Sequence, residues 1–212
     1  MRTKLLKAIC MTVLLFGLAQ AQNLKVLELQ AGYLNPKGTR AAGLILDGGY
    51  GITIDERVDI GLGVGVFHKA FSKETEVTGG KTGAGSQVDT KMQLLAYSTT
   101  LVPITANVTV HIPFQPPLGL YLGGSLAYEF LFDKYTNNET KASEKSNFRG
   151  FGWMTRAGID WTIGSRSSVT LEAFLNKCKV KGDKKEIEGI PNWKEVDVSG
   201  LGFRAGFRLI LY

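Results

Sequence analysis

The chain has 212 residues, with 25 Lys and Arg against 19 Asp and Glu, and only two cysteines. One cysteine, Cys10, falls in the first 21 residues, so a disulfide framework is excluded for the rest. Arg2, Lys4 and Lys7 fall there too; without them the net charge drops from +6 to +3, and the case for a nucleic-acid partner goes with it.

Residues 1–21 read as a secretory signal: a basic start, an apolar stretch from Ala8 to Leu18, and the small-x-small site Ala19-Gln20-Ala21. Cleavage after Ala21 leaves residues 22–212 as one domain. No later apolar run reaches the 18 residues of a spanning helix.

Eight segments with period-two alternation follow, the pattern of strands whose successive side chains leave on opposite faces. They cover Lys25–Leu34, Ala41–Ile54, Val58–Phe71, Met92–Ile112, Leu118–Phe132, Arg149–Ile163, Ser168–Asn176 and Val196–Tyr212. The fifth and sixth are the most regular. Leu118, Leu120, Leu122, Leu126, Tyr128, Phe130 and Phe132 share one parity, as do Phe151, Trp153, Ala157, Ile159, Trp161 and Ile163. The opposite parity is small or polar: Gly119, Gly123, Ser125 and Glu129, then Arg156 and Asp160. In every segment the apolar parity is free of charge through its central part. Pro103 cannot donate to a ladder, and a bulge is expected there.

The connections alternate in length. Asp55-Glu56-Arg57, Pro113–Pro117 and Gly164–Ser167 are short turns, whereas Ser72–Lys91, Asp133–Phe148 and Lys177–Glu195 are long and polar. An even strand count, short periplasmic turns and longer extracellular loops are what a transmembrane barrel requires.

Three observations set the apolar face against lipid. Closing eight strands leaves an interior just wide enough for side chains. Here the second parity would fill it with glycines and with Glu28, Gln30, Asp47, Glu129, Arg156, Asp160, Glu172, Arg204 and Arg208. Trp153 and Trp161 lie eight residues apart on the apolar parity. That is roughly 27 Å along a strand and roughly 21 Å along the normal of a strand tilted by about 40°, near the height between aromatic girdles. Tyr128 belongs to the same set. Hydrocarbon offers no partner to a free sheet edge, so a sheet within it must close.

With its signal segment, glycine-rich alternating strands and final strand Leu201–Tyr212, the mature chain resembles the small eight-stranded outer-membrane β-barrel proteins of Gram-negative bacteria (the OmpX, OmpW and OmpA membrane-domain type). The resemblance is architectural and carries no diagnostic motif. It implies residence in the outer membrane among its lipids, and a structural, adhesive or narrow-pore role in the cell envelope. It also implies that Phe207, Leu209, Leu211 and Tyr212 act as the signal read by the barrel-assembly machinery, although Tyr212 falls on the lumen parity where the family places its last aromatic on the lipid face. Relatives of the OmpW type imply sideways passage of small apolar solutes, for which the sequence offers no specific support.

The lumen charges are expected to form a packed salt-bridge plug, because buried charges must pair. Arg204 and Arg208 would meet Glu172 and Glu28, and Arg156 would meet Glu129 or Asp160. A charged constriction selecting solutes is the competing reading. Gly79-Gly80-Lys81-Thr82 lacks the glycine and the strand-helix context of a phosphate loop. His68 and His111 fall at opposite ends with no hydrolase motif near either, and no Cys or His cluster suggests a metal or other cofactor. Catalysis is therefore not expected. Cys178 would open the last outer loop as a lone thiol, and Lys177, Lys179, Lys181, Lys184 and Lys185 would be solvated or touch anionic headgroups. The extracellular ligand is not readable. A soluble periplasmic ligand-binding barrel and a lipid-modifying barrel enzyme are the alternatives from other classes.

Overall fold

A computed structural model describes residues 24–37, 42–54, 57–78, 89–137, 142–182, 185–187, 190–192 and 194–211. Residues 1–21, where a signal is expected, residues 79–82, Lys184 and Tyr212 lie outside them. The strands are β1 (Leu24–Pro36), β2 (Gly43–Ile54), β3 (Val58–Thr78), β4 (Asp89–Pro113), β5 (Leu118–Asn137), β6 (Ala142–Thr162), β7 (Ser167–Gly182), β8 (Lys185–Ile187), β9 (Ile190–Asn192), β10 (Glu195–Asp197) and β11 (Gly200–Leu211).

Each long strand pairs antiparallel with the next, from β1 to β7. The last, β11, then pairs with both β7 and β1 and closes the sheet. The result is an all-β, closed, eight-stranded antiparallel barrel. The hairpin β8–β9 stands apart. The short strand β10 adds to β7 in the same register as β11. Between them the Ser199 hydroxyl accepts from the Cys178 N–H at 3.1 Å and donates to the Cys178 carbonyl at 3.3 Å, carrying the ladder across the break.

Two expectations about the strands need correction. The described parts of the segments 72–91, 133–148 and 177–195 are mostly strand: β3 runs on to Thr78, β4 begins at Asp89, β5 and β6 reach Asn137 and Ala142, and β7 reaches Gly182. A reading keyed to an apolar face ends each strand where that face ends, but backbone pairing continues between polar residues. Nor is there a bulge at Pro103. Val64 pairs with Ile104 and Phe67 with Leu101 in one unbroken register, and the shift lies at Lys73/Glu74 instead. Only the two rungs beside Pro103 are missing from the β3 ladder, while the β5 ladder keeps Pro103 opposite Glu129. Gly65 makes room: a Cβ there would lie 3.1 Å from Pro103 Cγ and 2.1 Å from Asp47 Oδ1.

The barrel is apolar outside. Among the described residues thirty-three large apolar side chains are exposed against fourteen buried hydrophobics, the inverse of a protein that folds around an oily interior in water. Leu122, Ile159 and Phe207 are 55%, 45% and 57% exposed. A soluble barrel for a lipophilic ligand would have the reverse arrangement.

The lumen has two storeys. Toward the short turns it is polar, holding Glu28, Asp59, Thr109, Arg156 and Arg208. Toward the long connections it is apolar. There Leu34, Ile45, Phe67, Leu101, Leu131, Phe148, Phe174, Val180 and Val198 form one packed cluster with Met154 and Cys178. Cys178 is thus a buried member of β7, not the start of a loop.

Candidate functional site

Strand parity delivers the polar storey. Odd residues of β2 to β5 and even residues of β1, β6, β7 and β11 point inward, so polar side chains from all eight strands converge in one narrow space. Arg204 on β11 is the hub. Its Nη1 lies 2.8 Å from Asp47 Oδ2, and its Nε donates to Glu172 Oε1 at 3.0 Å with Nη2 donating to the same oxygen. The guanidinium also lies over the Phe174 ring, 4.2 Å from its centroid, and so touches the apolar storey.

Arg156 on β6 extends the network, with Nη1 3.3 Å from Glu28 Oε2 and 3.6 Å from Glu172 Oε2. Its Nη2 donates to the Thr109 hydroxyl. Tyr121 donates its hydroxyl to Glu172 Oε2 at 3.2 Å, so Glu172 serves two arginines and a phenol. Nearer the short turns a second group centres on Asp59. Arg208 donates to it from Nε at 3.0 Å and from Nη2 at 2.9 and 3.2 Å, and Thr53 donates at 2.6 Å. His111 stands between two carboxylates, Nε2 at 2.8 Å from Asp59 and Nδ1 at 3.3 Å from Asp160.

Of the expected pairs, Arg204 with Glu172 is present. The others are redistributed. Arg208 stands opposite Glu28 in register yet bonds Asp59 on β3, and Arg156 takes Glu28 and Glu172 rather than Glu129 or Asp160. The lumen of eight strands is narrow enough for an arginine to reach the far wall, whereas parity alone suggests only adjacent partners. Asp160 pairs with His111. Glu129 joins neither group: it is fully buried in the apolar storey, beside the side chains of Asn176 and Cys178 and with no arginine or lysine paired to it among the described residues. Gly150 opposite Glu129 and Gly152 opposite Cys178 leave that acid facing Cys178 and Asn176 across β6.

Asp59, His111, Thr109 and Tyr121 escaped the sequence reading. Asp59 shares the glycine parity of β3, which did signal the lumen. The other three lie on the inward parity of their strands, and nothing in the sequence alone ties them to partners on β3, β6 and β7. His111 is mostly buried within the network. His68 is on the outer wall, 3.0 Å from the Thr100 hydroxyl, so the two histidines do not meet.

The network fills its space. Two residual cavities, one beside Asp59, Thr109 and Arg156 and one beside Asp47, Arg156 and Arg204, each measure about 20 Å³. Each has room for about one water molecule. Among the described residues no group of three or more His, Cys, Asp or Glu is arranged to hold a metal ion.

On the outer wall Trp153, Trp161 and Tyr128 are 46%, 57% and 40% exposed. Trp161 sits opposite Leu118 near the short turns, and Trp153 opposite Leu126 toward the other end. Phe207, Leu209 and Leu211 face outward on β11.

No family model matches the sequence, and no curated protein matches it. Solved structures do. A major outer membrane protein from Thermus thermophilus matches with a TM-score of 0.58 at 12% identity, over 90% of this chain and 100% of that one. The outer membrane protein OprG from Pseudomonas aeruginosa matches at 0.56 and 12%, over 91% and 97%. Neisserial surface protein A matches at 0.52 and 15%, over 88% and 96%. At these identities the likeness is one of fold: this chain has the architecture of the small outer-membrane β-barrels.

Proposed function

We propose that the protein is an integral outer-membrane barrel with a sealed lumen, and that its role in the envelope is structural or adhesive rather than catalytic or solute-conducting. The observation that carries this is the two-storey lumen, in which a cross-barrel ion-pair network lies under a packed apolar stopper. An ion crossing it would have to separate Arg204 from two carboxylates and then pass Phe67, Leu101 and Phe174. Each step costs several kcal/mol, by the usual scale for buried pairs and for charge in apolar surroundings. Supporting the location are the exposed apolar belt, the signal segment 1–21 and the shared fold. In this reading the short turns face the periplasm, the long strand extensions face outward and present the contact surface, and the outward-facing end of β11 is what the assembly machinery recognises.

Recording from the refolded mature chain in planar bilayers tests the seal. The expected trace is flat; reproducible conductance steps would overturn the reading. Requirement for detergent, with a heat-modifiable gel mobility, tests the membrane location.

A second reading rests on one observation. The two rungs missing beside Pro103 open the β3 ladder next to Phe67 and Leu101, so the apolar storey borders a weakened seam in the wall. A small apolar solute entering from outside could leave there into lipid. Uptake of a fluorescent hydrocarbon into vesicles carrying the barrel, abolished by cross-linking β3 to β4 at this seam, would favour that reading over a sealed one.

A further inference from the structure

At the short-turn mouth one side chain stands where its charge can be read from geometry. A neutral imidazole carries one N–H and one lone pair, and only the doubly protonated ring donates from both nitrogens. His111 on β4 turns each nitrogen to a carboxylate oxygen: Nε2 lies 2.8 Å from Asp59 Oδ2, and Nδ1 lies 3.3 Å from Asp160 Oδ2. All three side chains are sheltered, with 13%, 9% and 13% of their surface exposed. There a lone pair aimed at a carboxylate repels it, whereas a second N–H makes the contact attractive.

The charges of the polar storey run the same way. Among the described residues Glu28, Asp47, Asp59, Asp160 and Glu172 share it with three arginines, Arg156, Arg204 and Arg208. Five acids against three fixed cations favour a further positive charge. Around the ring, β3 presents Asp59, β5 the Tyr121 ring at 5.8 Å, and β6 Asp160. On the inward parity β1 brings Val26, β2 Thr53, and β7 Ser168 and Thr170. Arg208 of β11 reaches the group too, but its guanidinium is taken up by Asp59. Arg57, just ahead of β3, lines the opening, and its carbonyl accepts the His111 N–H at 2.7 Å.

A proton can come and go here. His111 and Asp160 line a cavity of about 540 Å³ at the short-turn end, with the exposed Pro113, Phe114, Pro116 and Pro117 of the β4–β5 turn on its wall. The ring can thus exchange with water on that side while the strands stay paired. Its two contacts are not equivalent. Asp59 is also fixed by Arg208 and Thr53, so a neutral ring can keep its Nε2–H on that acid. Asp160 has the longer contact, and β6 ends two residues later at Thr162.

We infer that His111 is a proton-operated latch at the short-turn mouth: its doubly protonated ring ties β3 to β6 through Asp59 and Asp160, and loss of one proton frees Asp160 and the end of β6. The mouth is therefore tightest when the compartment it opens on is acid. This goes beyond the sealed-barrel reading and holds whichever way the barrel lies in the membrane.

The test uses the mature chain refolded in zwitterionic detergent micelles, with its histidine rings labelled with nitrogen-15. In a His68→Gln variant His111 is the sole reporter. At a pH of about 7.5, where a free imidazole with its ordinary value of about 6.5 is mostly neutral, both His111 nitrogens are expected to carry protons. In Asp160→Asn, which keeps the shape and loses the charge, one of these protons should be gone at the same pH. Stability against pH gives a second readout, measured in the Glu129→Gln background so that this buried acid adds no titration of its own. A proton held more tightly by the folded barrel than by the unfolded chain stabilises in acid, and its contribution is lost as the pH rises. The urea midpoint should therefore fall by about 0.5 M or more between about pH 6 and pH 9, and His111→Gln should remove that fall. If His111→Gln does not fold, the ring spectrum of the intact site decides. A ring with a single protonated nitrogen at a pH of about 7.5, retention of both protons in Asp160→Asn, or an equal pH profile with and without His111 would overturn the inference.

Discussion

The two storeys of the lumen solve the same packing problem by opposite means. In the polar storey every arginine is held by carboxylates from other strands. In the apolar storey aliphatic and aromatic groups interlock much as in an ordinary protein core. The difference is one of consequence. A hydrogen-bonded charge cannot be removed without stranding its partner, whereas an apolar group can shift or be replaced by one of similar volume. Register and strand identity are therefore held more firmly at the short-turn end.

Arg204 is the place to break this comparison, since it touches both storeys. Replacing it with Met should cost about 3–5 kcal/mol, the scale for orphaning buried ionic partners, read as a lowered urea midpoint for the folded gel band. A loss below about 1 kcal/mol would mean that the network does not hold the barrel. The second test contrasts the two sides of one wall. Arg156 is accommodated inside β6, whereas an arginine at Leu122 or Ile159, outside at a similar depth, should cost about 2–4 kcal/mol against lipid. Near-neutral outcomes at both would contradict the outward assignment.

Overpacking probes the apolar storey. A Cβ on Gly202 would come 2.2 Å from the Phe174 ring, so Gly202→Val should destabilise by about 1–3 kcal/mol. The smallest effect is expected at Glu129. Because no arginine or lysine pairs with it among the described residues and Asn176 and Cys178 can bond an amide as well as an acid, Glu129→Gln should lie within about 1 kcal/mol of wild type or stabilise it. Glu172→Gln, by contrast, should behave like the loss of Arg204. Similar losses for the two substitutions would erase the distinction between the storeys.

The sequence showed the strands where one face meets hydrocarbon, because lipid enforces a charge-free parity that survives even in short windows such as Leu118–Phe132. It also placed Glu172, Arg204 and Arg156 inside. The polar strand extensions were not legible, since water permits any side chain on either face once the backbone is paired. Nor was the apolar storey. Leu34, Ile45, Phe67, Leu101 and Leu131 come from five strands, and only closure of the barrel stacks them. Pro103 misled for a different reason. The missing donor is real, but Gly65 across the seam absorbs the ring without a change of register.

The pairing of Arg208 with Asp59 joins residues 149 positions apart, and Arg204 likewise reaches back to Asp47. Both arginines ride on β11, the strand that closes the barrel between β7 and β1. Until it docks, Asp47 lacks its arginine, Asp59 has only Thr53 and His111, and Glu172 has only Arg156 and Tyr121, so the sheet before closure carries excess negative charge along its inner surface. The final strand therefore does more than close a gap in the backbone ladder. It delivers the counter-charge, and the barrel's commitment to its lipid environment is deferred until β11 is in place.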